Sequence, residues 1–355
     1  MPTYKNRKHK RSVPQTDTVV EEFNAILASD DEFPVSIQEK TTLIGHIHIR
    51  RHIKSRKMNN VYKTLNNVQT HLITWGNPFN CDGRDVIVCI TGNPGVPDFY
   101  IEFASTLHSS TGLPICVIGQ AGHEHVPHKE SNILKNQEHL FDLEGQVKHK
   151  LDLINAIDKA SKLHLVGHSI GAWMITEMVE KDSSLQKRIL SINLLFPTLQ
   201  RMAETQSGIL LNKLVRRLHI LVMLLFTFLY YMPTVIKTFL IGLYLKFHSL
   251  PSHYVDRIMK YLNPRVGEKV LFLAYDEMDR VRDLNVQALT KMKHQTYVTY
   301  GVLDGWAPVS YMDDLKQFQP EMHLHEVHID HSFVLRSSEQ VAEIVSKFIK
   351  TSFNK

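Results

Sequence analysis

A serine, a histidine to take its proton and a carboxylate to orient that histidine are enough to make an activated nucleophile. The chain offers a serine in HLVGHSIGAWMI (164–175), where Ser169 stands between Gly167 and Gly171 in a Gly-x-Ser-x-Gly pattern. At average Gly and Ser usage of roughly 7%, a chain this long shows that pattern by chance about one time in ten, so the surroundings must carry the weight. LHLVG (163–167) reads as a buried strand, and Ala172, Ile175, Met178 and Val179 follow it at helical spacing. The serine then falls on a sharp strand-to-helix turn, which small flanking residues permit. The helix N-terminus points at the site, which makes the Ile170 backbone N–H an oxyanion donor.

For a serine on such a turn, the acid follows a later strand and the histidine comes near the chain end. Asp304, in YGVLDGWAP, directly follows the strand-like QTYVTYG (295–301). Asp276, Asp279 and Asp283 lie in a helix-like stretch rich in Arg and Glu and read as a solvated face. Of 21 histidines, His331 in HIDHSFVLR stands between the strand-like MHLHEVHI (322–329) and a final amphipathic segment, where the base belongs. His328 is the alternative; His323 and His325 alternate with Leu324 as one strand face. A second oxyanion donor should come from the loop after VIVCI (86–90). In TGNPG (91–95), Pro94 has no N–H, which favours Asn93. The spacing His123-x-His125-x-x-His128 could hold zinc. Pro127, however, occupies the place where metallo-β-lactamase-like sites carry Asp, and HExxH is absent. These histidines read as a loop near the mouth of the site, and no metal or cofactor is expected.

The elements that must position these residues are apolar runs at 86–90, 115–119, 163–167 and 189–196, separated by helical patterns such as Val147, Leu151, Ile154 and Ile157 within 143–160. Such alternation predicts an α/β fold, a mainly parallel sheet with helices on both faces. The core is expected over 66–197 and 266–355, interrupted by an insertion at 198–265 and preceded by a basic, weakly structured segment at 1–65. With 355 residues, 43% hydrophobic and 22% charged, the chain has ordinary globular composition, which excludes a coiled coil, collagen or bulk disorder. A net charge of +5 does not call for nucleic acid, and the cations crowding the N-terminus read as a solvated tail. Cys81, Cys89 and Cys116 follow no framework spacing, so a reducing, cytosol-facing setting is expected.

The insertion is unusual in composition. LHILVMLLFTFLYYM (218–232) holds no charge, and TVIKTFLIGLYL (234–245) holds only Lys237, with Pro233 between them. Fifteen helical residues reach about 22 Å, short of a hydrocarbon core of roughly 30 Å. A hairpin bent at Pro233 that dips into one leaflet, with Arg216, Arg217 and Lys246 snorkelling at its ends, suits the pattern better than a span. A soluble cap lining a lipid pocket is the alternative.

With GNPG (92–95), GHSIGAW (167–173), the Asp304 loop followed by Trp306 and Pro308, and His331 ahead of Phe333, the chain from about Val86 to Lys350 resembles the lipid droplet-associated hydrolase family of α/β hydrolases. Most serine hydrolases carry a His-Gly pair at the first of these motifs, where this chain has Thr91-Gly92. The resemblance implies an α/β-hydrolase fold and a nucleophile, acid and base at Ser169, Asp304 and His331. It also implies residence on lipid droplets and the endoplasmic reticulum, with sterol esters or related neutral lipids as substrate. The expected function is a serine lipid ester hydrolase meeting a lipid monolayer or membrane surface. A non-catalytic droplet-surface protein that affects lipid storage is the rival.

Overall fold

The computed structural model describes residues 57–124 and 132–352. Strand β3 (Val86–Ile90) shows how the apolar runs are used. Val86, Val88 and Ile90 pack on one side of the sheet against Val147, Ile154 and Ile175, while Ile87 and Cys89 pack on the other against Phe103, Leu107, Val341 and Val345. A strand with apolar side chains on both faces has to be covered on both. Helices α2 (Leu143–Ala156) and α3 (Ile170–Lys181) cover one side; α1 (Ile101–Thr111) and α9 (Ser338–Ser352) cover the other.

The sheet has eight strands in the order β1-β2-β4-β3-β5-β6-β7-β8. Besides β3 they are β1 (Met58–Leu65), β2 (Val68–Trp75), β4 (Ile115–Ile118), β5 (Leu163–His168), β6 (Ile189–Leu195), β7 (Thr296–Gly301) and β8 (His323–Val327). From β4 to β8 neighbours run parallel, whereas β2 pairs antiparallel with both β1 and β4. This is the predicted α/β architecture with helices on both faces.

One boundary is corrected. Residues 58–65, expected to be weakly structured, form β1, paired with β2 along its whole length. Its polar residues Asn59, Asn60, Lys63 and Thr64 hid it, because an edge strand needs only one apolar face. Asn66 and Asn67, with φ of 45° and 61°, form the two-residue turn that joins the strands. The rest of the basic N-terminal segment lies outside the described residues. The helical pattern over 143–160 ends early, at Ala156, and the helix-like stretch around Asp276, Asp279 and Asp283 is divided between α7 (Pro264–Arg280) and α8 (Val286–Met292). Cys81, Cys89 and Cys116 are buried free thiols.

Between β6 and α7 lie α4 (His219–Tyr231), α5 (Thr234–Phe247) and α6 (Tyr254–Tyr261). The axes of α4 and α5 differ by 116° across Met232 and Pro233. No single described helix is long and apolar enough to cross a membrane, although the bent pair meets that test jointly. No α4 side chain is buried, while on α5 Ile241 and Leu245 pack against Tyr254. Lys237 donates to the Tyr230 carbonyl at 3.1 Å, so this cation satisfies the C-terminal end of α4. Arg216 does not snorkel freely as expected; it is bonded to both carboxylate oxygens of Asp279 on α7, at 2.8 and 2.5 Å. At the other foot, Arg336 donates to the His248 carbonyl at 2.8 Å.

Candidate active site

Ser169 sits between β5 and α3 with φ 54° and ψ −123°, a conformation disfavoured for a residue with a side chain. Close packing forces this turn. A Cβ on Gly167 would come within 2.7 Å of the Gly171 carbonyl oxygen, and one on Gly171 within 2.5 Å of the Ile90 carbonyl oxygen. Both glycines are therefore required by contact distance. The Ser169 N–H donates to the Leu195 carbonyl at 3.0 Å, which fixes the turn to β6.

His331, in the loop after β8, reaches Ser169 Oγ with Nε2 at 2.9 Å and Asp304 Oδ2 with Nδ1 at 2.7 Å. A carboxylate only accepts, so Nδ1 carries the proton and Nε2 turns its lone pair to the serine hydroxyl. The Asp304 side chain, in the loop after β7, is fully buried. Its Oδ1 accepts from the backbone N–H groups of Trp306 at 2.8 Å and Ala307 at 2.9 Å. The three residues selected from the sequence are thus joined by hydrogen bonds, although 162 positions separate Ser169 from His331. The alternatives lie elsewhere. His328 is exposed, Asp283 is exposed, Asp276 accepts from the Leu143 N–H and Asp279 holds Arg216.

The loop after β3 borders the serine. The Gly92 N–H donates to the Tyr100 hydroxyl at 2.9 Å. Among the described residues nothing accepts from the Asn93 N–H, in keeping with Asn93 as the donor from this loop. Ile170 opens α3, where the first N–H groups have no partner within the helix. Tyr100 leads to a connection that the motif did not reveal. Its hydroxyl lies 2.6 Å from His168 Nδ1, and His168 Nε2 lies 3.0 Å from the His331 carbonyl oxygen. That carbonyl can only accept, so His168 carries its proton on Nε2, and Tyr100 donates to Nδ1 while accepting from Gly92. Burial holds the His168 pKa well below the ordinary histidine value, so the ring is neutral. One buried ring therefore ties the loop after β3, the Ser169 turn and the loop after β8 together.

These residues open onto a cavity of about 410 Å³. Gly92, Asn93, Ser169 and His331 line it together with apolar side chains that include Met202, Leu271, Met278 and Trp306, and with the carboxyl of Glu277. Such a cavity suits a mainly apolar ligand. His123 is fully buried beneath the oxyanion loop, its Nδ1 3.0 Å from the Pro94 carbonyl oxygen. Burial lowers its pKa to about 3. His125 and His128 of the zinc-spaced trio lie outside the described residues. Ligand atoms of His71, Asp98 and Glu124 lie within 4.8 Å of one another, but they are internally paired, His71 with Glu124 at 2.7 Å and Asp98 with Lys260 at 2.5 Å.

Known proteins resemble the chain in both fold and sequence. Its fold matches a crystal structure of a membrane phospholipase A, a bacterial virulence factor, with TM-score 0.60 and 15% identity over 96% of this chain and 97% of that one. A thermophilic esterase from Thermogutta terrifontis matches with TM-score 0.55 and 14% identity, over 83% and 99%. Likeness at such identity bears on the fold alone, which is that of the α/β hydrolases. In sequence, the lipid droplet-associated hydrolase of Drosophila melanogaster is 39% identical over 303 residues, 82% of this chain and 98% of the relative. The human protein of the same name is 29% identical over 284 residues, 76% and 86%. Residues 83–334 match the profile of the lipid-droplet associated hydrolases, and the chain belongs to that family.

Proposed function

We propose that the chain is a serine carboxylic ester hydrolase working on neutral lipids at a lipid surface, with Ser169 as nucleophile, His331 as base and Asp304 as orienting acid. The single observation that carries this reading is the hydrogen-bonded series from Asp304 through His331 to Ser169, at 2.7 and 2.9 Å, opening into a mainly apolar cavity. Ser169 Oγ attacks the ester carbonyl carbon as its proton passes to His331 Nε2. The Ile170 and Asn93 N–H groups receive the negative charge on the carbonyl oxygen. Collapse expels the alcohol, which takes the proton from His331. Water, deprotonated by the same imidazole, then releases the acid and restores the serine.

Sterol esters are the substrates that the family resemblance favours, and the same resemblance extends the proposed location from lipid droplets to the cytosolic face of the endoplasmic reticulum. We assign 198–265 to a lipid-facing cap and the flanking segments, with β1 at the edge, to the hydrolase core. Support for a lipid surface comes from large apolar side chains left in solvent on α4 and α5, such as Ile220 at 77%, Phe228 at 64%, Phe239 at 67% and Phe247 at 84% exposure.

Labelling with a fluorophosphonate probe tests the assignment. Wild-type protein should label and turn over esters. Ser169→Ala should lose labelling and lower kcat/KM by roughly 10⁵-fold. Folded wild-type protein that fails to label would sink the enzyme and leave the surface-protein alternative.

A further inference from the structure

The wall that α7 contributes to the serine cavity carries a carboxyl with no cation beside it. Glu277 is 4% exposed, and among the described residues the one hydrogen-bond partner of its carboxyl is Asn93 Nδ2, which donates to Oε1 at 2.9 Å. The same Nδ2 donates to the Val270 carbonyl, about two turns earlier on α7, at 3.2 Å. A carbonyl can only accept, so the amide must turn its nitrogen toward α7, and both of its hydrogens are then engaged. The cost is visible in Asn93 Oδ1, which is buried without a partner. Asn93 is thus clamped by its side chain from a helix 184 residues away, while its backbone N–H remains unengaged beside Ser169.

We propose that Glu277 is a positioning residue of the oxyanion loop: its carboxyl, by accepting from Asn93 Nδ2, holds the Asn93 N–H in place to receive the developing oxyanion. This rests on the serine-hydrolase reading above. Charge on the carboxyl would oppose the negative charge that forms on the substrate oxygen, so the device works with its proton on. Burial, opposed by the Asn93 hydrogen bond and aided slightly by Asp276, pushes the Glu277 pKa up to about 8, so the neutral form prevails near neutral pH.

The other titratable groups of the cavity wall are Tyr100 and Tyr261, both raised by burial, neutral His168, and His331. Of the charged groups on or against α7, Arg265 and Glu268 are exposed, and the others pair away from Glu277: Arg216 with Asp279, Arg280 with Asp142 and Asp276, Lys260 with Asp98, and Arg201 with Asp314. Lys269, on the same helix, is lowered to about 8 by burial, but its ammonium donates to the Asn132 and Arg265 carbonyls.

The test is steady-state hydrolysis of a water-soluble short-chain ester by the full chain, from about pH 6 to about pH 9.5, with Ser169→Ala as background. Glu277→Leu, which removes the acceptor, should lower kcat about 10²-fold with KM within about threefold of wild type. Glu277→Gln, which keeps an acceptor but cannot ionise, should recover kcat to within about threefold at neutral pH and lose the alkaline decline centred near pH 8. Should Glu277→Leu fail to fold, the pH profile of Glu277→Gln decides alone. Wild-type kcat in Glu277→Leu, or an unchanged alkaline decline in Glu277→Gln, would overturn the proposal. Absence of Ser169-dependent turnover in wild type would overturn the hydrolase reading, and this inference with it.

Discussion

The serine site and the α4–α5 pair treat solvent in opposite ways. Around Ser169, Asp304 takes two backbone donors as well as His331, and His168 is bonded on both ring nitrogens. On α4 and α5, large apolar side chains find few partners, and α4 buries none of its residues. The pair leaves a surface that water disfavours by about 25 cal/mol for each Å² of apolar area, which a lipid phase would relieve. Chemistry and location are thereby assigned to separate parts of one chain, and each should be removable without the other.

The strongest way to break that separation is at the triad. Asp304→Asn keeps the shape but offers His331 Nδ1 a group that also donates, and should lower kcat by about 10⁴-fold on soluble and lipid-phase esters alike, as read by single-turnover kinetics. A loss restricted to lipid-phase substrate would contradict the division. Next comes the apolar pair. Leu224 and Phe239 are 61% and 67% exposed, and Leu224→Asp with Phe239→Asp should weaken partition onto phospholipid-coated oil droplets by at least about 10²-fold, measured by flotation. Activity on soluble ester should survive; its collapse would mean that the pair belongs to the site. The smallest effect should come from Tyr100→Phe, which leaves the Gly92 N–H without an acceptor and His168 Nδ1 without a donor. It should cost about 1–3 kcal/mol in denaturant unfolding, with no change in droplet binding.

The proposed triad was legible because each member stands at the carboxyl end of a strand that the apolar pattern reveals, and because catalytic chemistry limits the residue types. The insertion was legible through composition alone. What stayed hidden depends on distance in the sequence. Nothing in EKVLFLAYDEMDR marks Glu277 as the partner of Asn93, since an acidic residue in a charged helix reads as solvated until the fold turns that face inward. His168 was similarly concealed, being one histidine of 21 and already explained as the residue before the serine. Strand β1 was hidden for the opposite reason: an edge strand keeps too little apolar character to stand out, and the Asn66-Asn67 turn was its one clear signal.

The feet of the apolar pair carry a kinetic consequence. Arg216 is held by Asp279, two residues beyond Glu277, and His248 is held by Arg336, next to Leu335; Glu277 and Leu335 both line the serine cavity. With α4 and α5 seated in lipid as proposed, these ties would fix the orientation of the cavity relative to the plane of that surface. An ester would then reach Ser169 by lateral diffusion in two dimensions, and its encounter rate would follow its mole fraction in the layer instead of its concentration in the bulk.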